Sequence, residues 1–181
     1  MIRASNVLSL AERVFEGTEL RGRLLRRTLR VPVTETLLEF VIDGHPLGEA
    51  PEIEECIARP DDQATDLGER MPGTAAVQVE RLLGIRPDTW EQGRVWLLFC
   101  PVCHDEGCGG VSAAIDRVGD WVIWSDFTWD NPFDQPLVRL QSLVRVSRQR
   151  FAFDATRYDA LLMPLLAHYR QLDAARGRRR R

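Results

Sequence analysis

The chain has 181 residues, 44% of them apolar and 28% charged, and a formal net charge of −3. That composition excludes a disordered or collagen-like chain, and the length carries one domain whose core needs no disulfide staples. No apolar run approaches the ~18 residues of a membrane-crossing helix, and Glu12 and Arg13 arrive too early for a secretory leader, so the expected compartment is the cytoplasm, where cysteines stay reduced.

In chain order, "SNVLSLAERVFEG" sets Val7, Leu10, Ala11, Val14 and Phe15 at helical spacing, with Ser9 and Glu12 at capping-box distance and Gly17 as a stop. An N-terminal helix is expected there. "TELRGRLLRRTLR" fits either a basic amphipathic helix or an extension outside the core. Residues 36–42 are β-prone and run into an Asp43-Gly44 turn. From Ala50 to Gly68 the chain is acidic, reading as a short helix over "EIEECIA" and then a surface loop. "AAVQVERLLG" reads as a helix stopped by Gly84, and "RVWLLF" as a strand buried on both faces. "GVSAAIDRVGDWVIWSDFTW" reads as a hairpin turning at Gly119-Asp120, and "PLVRLQSLVRV" as a further strand. Last, Asp154 caps a helix whose stripe is Tyr158, Leu161, Leu162, Leu165, Leu166, Tyr169 and Leu172, with Pro164 inside it to kink or split it.

Hairpins flanked by helices predict the α+β class. The expected form is a mostly antiparallel sheet with a cysteine loop between two strands, flanked by an N-terminal and a C-terminal helix. Residues 1–175 make one domain, with 1–30 standing as an N-terminal extension, and 176–181 form a disordered arginine tail.

Charge is unevenly spread. All 24 basic residues are arginine, a mark of base composition in the coding sequence. Residues 31–75 hold eleven acids against Arg59 and Arg70, whereas residues 1–30 hold seven arginines against three glutamates. The tail "RGRRRR" touches polyanions at most weakly, because the acidic body repels them and no aromatic residues interleave with basic ones. The expected partner is a protein, with the acidic stretch from Glu35 to Glu69 meeting a basic surface.

"CPVCHDEGCGG" concentrates Cys100, Cys103 and Cys108 at the end of the apolar strand. Pro101 presets a tight turn that brings the first two sulfurs onto one side, and the glycines behind Cys108 let the chain fold back. Three thiolates in that spacing suit a tetrahedral zinc ion. The fourth ligand is open among His104, Asp105, Cys56, His45 and His168. A thiol redox switch or oxidoreductase on the same cysteines is the alternative. It is opposed by Asp105 and Glu106, which raise a neighbouring thiol's pKa, and by the absence of a following helix. Cys108 as a nucleophile would need His45 or His168 beside it. Reduced, inert cysteines in a tight turn are the remaining reading.

"VIDGHPL", "LLGIRPDTW", "VWLLFCPVCHDEGCGGVSAAI", "WVIWSDFTW" and "FAFDATRYDALL" together resemble a family of small proteins from high-GC bacteria, marked by a CPxCGDxGCG loop followed by a W-x-D-F hairpin. The likeness runs over residues 35–168. It implies a shared fold with the cysteine loop between two strands, and it carries no activity with it. Cys100, Cys103 and Cys108 match the pattern, and His104 departs from its glycine. The expected function is therefore a non-enzymatic protein-binding domain, of the immunity or regulatory kind, with zinc held by Cys100, Cys103 and Cys108.

Overall fold

The first element is a strand, β1 (Leu8–Leu24), paired along its length with β2 (Arg27–Ile42) in one long antiparallel ribbon. The N-terminal helix expected from the apolar spacing does not form. Near the body, Leu8 and Leu10 are half-buried against the core while Ser9 and Ala11 face out, which is the two-residue alternation of a strand. The structure is a computed structural model and describes residues 5–24, 27–54, 64–87, 94–99, 109–130 and 149–179. The β-prone run of β2 offers the stretch Leu8–Leu24 a ladder from end to end, and that pairing overrides a helical period only a few residues long.

Asp43 (φ 53°) and Gly44 (φ 85°) turn the chain into β3 (His45–Pro46), which completes a three-stranded sheet in the order β1-β2-β3. A 3-10 turn (Leu47–Glu49) and α1 (Pro51–Glu54) follow. After α2 (Pro72–Leu82) comes the second sheet, antiparallel in the order β4-β5-β6-β7. Its strands are β4 (Arg94–Leu98), β5 (Gly110–Val118), β6 (Trp121–Asp130) and β7 (Phe151–Asp154). The chain ends in α3 (Ala155–Arg179), packed on α2. The α+β class and the antiparallel pairing are those expected from the sequence.

Several local expectations change. The segment 64–68 is not a surface loop. All five of its residues are buried, because it threads between the sheets: Leu38 N–H donates to Leu67 O (2.9 Å) and Ala64 pairs with Phe99. Gln78 satisfies the backbone there, accepting from Asp66 N–H (2.9 Å) and donating to Trp96 O (3.2 Å). Pro164 does not split α3. It sits on the exposed side, where the carbonyl it frees at the exposed Ala160 faces water. Asp154 caps the helix as expected, its Oδ1 accepting from Arg157 N–H at 2.9 Å. Of the expected disordered tail, residues 176–179 continue α3, since Ala174, Ala175 and the arginines are good helix formers and cations suit a helix C-terminus. The strand expected over "PLVRLQSLVRV" lies outside the described residues.

The core joins both sheets and both long helices. Trp124 at its centre meets Phe40 and Phe153 edge-on at 5.3 Å each, and its Nε1 donates to the Tyr158 hydroxyl (3.2 Å). That hydroxyl donates onward to Leu82 O (3.2 Å), so the buried polar tips of two aromatic residues are both satisfied. Burial raises the Tyr158 hydroxyl well above the ordinary phenol range and keeps it a donor.

Candidate functional site

Cys56, Cys100, Cys103 and Cys108 all lie outside the described residues, as do His104 and Asp105. Their anchor points are described. Phe99, the residue before the loop, exchanges two backbone hydrogen bonds with Ala64 (2.9 and 2.6 Å), and its ring stacks on Trp96 at 5.9 Å. The chain returns at Gly109, whose φ of 78° favours glycine, and a Cβ there would come within 2.8 Å of the Trp129 ring. Gly110 then pairs with Asp130 in the ladder. Both ends of the loop are thus fixed to the second sheet.

A polar seam crosses the same sheet. Arg94 Nε donates to Ser112 Oγ (2.9 Å) and to Asp130 Oδ2 (3.3 Å), while its terminal nitrogen donates to Ser112 O (3.0 Å). The Ser112 hydroxyl, fully buried, donates to Asp130. Each group has a partner, so the seam staples β4, β5 and β6 together.

A concavity among the described residues lies elsewhere, between the ribbon, segment 67–70 and α3. It is a cleft of about 620 Å3. Glu12, Glu35 and Glu69 line it, with Arg70, His168 and Tyr169. Glu35 is buried in its wall, with Arg70 Nη1 at 3.7 Å, and Gly68 is glycine because a Cβ would collide with the Glu35 carboxylate and Leu37. His168 Nε2 lies 2.9 Å from Glu69 Oε1 on the exposed rim. Burial, reinforced by the Glu69 and Glu35 carboxylates, raises the Tyr169 hydroxyl far above the phenol range, so it stays protonated. Among the described residues the cleft lining holds three carboxylates, one guanidinium and one imidazole.

The chain matches no family model, no curated protein and no solved structure. Its site is therefore read from its own residues. Of the fourth-ligand candidates, His45 is exposed beside the Asp43-Gly44 turn and His168 is engaged with Glu69, on the cleft rather than at the loop anchors. Among the described residues no group of three or more His, Cys, Asp or Glu converges as a metal would need. No helix among them is long and apolar enough to cross a membrane. Sequence reading found the acidic stretch but missed the cleft, because Glu12 and His168 join it from opposite ends of the chain. It also missed the Arg94 seam, which rests on cross-strand register alone.

Proposed function

We propose that this chain is a non-enzymatic protein-binding domain, of the immunity or regulatory kind, in which Cys100, Cys103 and Cys108 hold a structural zinc ion. The Ala64–Phe99 bridge carries the metal half of this reading. Cys100 follows Phe99 directly, and Ala64 follows the segment 55–63 in which Cys56 stands eight residues earlier. Were Cys56 the fourth ligand, the set would be four thiolates, the pattern of a structural rather than a catalytic site. The zinc would supply cross-linking strength to a loop between fixed ends. The binding half rests on the acidic cleft, whose described lining includes Glu12, Glu35 and Glu69.

The test is zinc per chain by mass spectrometry of freshly purified protein, with a native thiol count. One zinc, protected thiols and a lowered melting temperature after chelation are expected. Four freely reactive thiols, with stability unchanged by chelator, would overturn the metal site. A reversible disulfide in the metal-free protein would move the assignment to the thiol redox switch.

A further inference from the structure

The ribbon of β1 and β2 is charged in opposite senses at its two ends. Its base carries Glu12 and Glu35 in the cleft wall, with Glu69 across from them. Its far end carries Arg21 and Arg23 on β1 and Arg27 and Arg30 on β2, which the register sets within a few ladder rungs of one another. In sequence, residues 17–33 hold Arg21, Arg23, Arg26, Arg27 and Arg30 against Glu19 alone. At ~3.4 Å per residue, Arg21 stands roughly 30 Å along the strand from Glu12.

β1 also comes to the surface early, while β2 beside it still buries Glu35 and Leu37. Ala11, Glu12, Arg13 and Val14 are consecutive and all exposed, so both faces of β1 are at the surface there, and Val14 is 63% exposed. β1 is the outer strand of its sheet. Among the described residues its outer edge has no strand beside it, its ladder with β2 runs unbroken as far as Arg21, and it contains no proline. Proline, bulges and charged side chains keep an edge from pairing indiscriminately; β1 has no proline and a single register shift, between Arg21 and Arg23, while its charges, with Glu12 toward the base and Arg21 and Arg23 toward the far end, restrict pairing to a strand of complementary charge.

We propose that the occupant of this edge is a second copy of the same chain. Two ribbons lie side by side, antiparallel about their midpoints, and the arginine end of each reaches the acidic cleft of the other. A ribbon positive at one end and negative at the other complements its own reverse. One two-fold axis satisfies both contacts at once and closes the assembly at a dimer. A phosphate backbone following the ribbon inward would instead meet Glu12 and the cleft carboxylates, in a chain that is already net negative, which favours the protein over a nucleic acid. This inference rests on the cleft being a partner surface and is independent of the zinc.

Sedimentation of the full chain across the micromolar range tests it. A dimer that loosens with added salt is expected. The arm variant Arg21→Glu/Arg23→Glu/Arg27→Glu and the cleft variant Glu12→Arg/Glu69→Arg should each weaken self-association by at least about 100-fold. Circular dichroism and tryptophan fluorescence verify that both variants fold. Mixed in equal amounts, the two should pair with each other, because both arm–cleft contacts are then attractive again. A monomer throughout, a dimer indifferent to both variants, or two folded variants that fail to pair would each overturn the proposal. So would arm-dependent binding of duplex DNA by a monomeric chain. A hexa-arginine peptide separates the two levels. If the chain is monomeric but its cleft binds the peptide and the cleft variant does not, the dimer fails and the partner surface stands. If neither the chain nor the peptide binds, both fail.

Discussion

Arg94 holds a serine hydroxyl, a carboxylate and a carbonyl that come from two other strands. Arg94→Ala would leave Ser112 and Asp130 without that donor in a largely dry seam, at a cost of about 2–4 kcal/mol, read as a shift in the urea midpoint. Glu80 is a second such residue, joining Arg170 (2.8 Å) on α3 and Arg86 (2.7 Å) beyond α2. The Arg170 hydrogen bond, partly offset by desolvation and supported by Arg86, lowers its pKa below the ordinary glutamate value. Its stabilisation is therefore fully present above the unfolded pKa and is lost as the pH falls through the lower folded one. Glu80→Gln should destabilise the protein at neutral pH and converge with the wild type in acid, a difference that denaturation across pH would follow. Neither role is legible in the sequence, because each partner lies on another element. The Asp154 cap is legible, since its acceptor and donor are three residues apart.

Among the elements, the most regular patterns translate directly. The stripe of α3 buries Tyr158, Leu162, Leu166 and Tyr169 as read, and the hairpin of β5 and β6 turns at Gly119 with φ of 57°. β1 does not translate, because its helical spacing spans few residues and β2, which competes for it, lies beyond the window in which a period is counted. Segment 64–68 fails for a related reason. Its polar residues look like surface, and Gln78, Leu38 and Phe99 show how its backbone is satisfied. Pro164, exposed inside an unbroken helix, removes one helical hydrogen bond. Pro164→Ala should raise stability by about 1–3 kcal/mol in urea titration.

For the whole molecule, the sequence's charge asymmetry becomes spatial: acids gather around the cleft and arginines at the ribbon's end. The cleft itself needed the fold, since it draws on β1, β2, segment 67–70 and α3. The two sheets meet at a clasp centred on Asn6. Its backbone N–H donates to Ala152 O (2.7 Å), its Oδ1 accepts from Ala152 N–H (2.9 Å), and its Nδ2 donates to Asp43 Oδ2 (2.6 Å). Asn6→Ala should cost about 1–2 kcal/mol and speed amide exchange at the start of β1 more than in α3, which hydrogen-exchange measurements would resolve.

That clasp also fixes an order of events during synthesis. Asn6 leaves the ribosome before its mate on β7, which emerges 146 residues later. At ~5–20 residues per second the wait is several seconds at least. Throughout it β1 and β2 have been made without β7, whose residue Ala152 fastens Asn6 to the second sheet. Closure of the clasp, timed by translation of the 146 residues between its two halves, ends that interval.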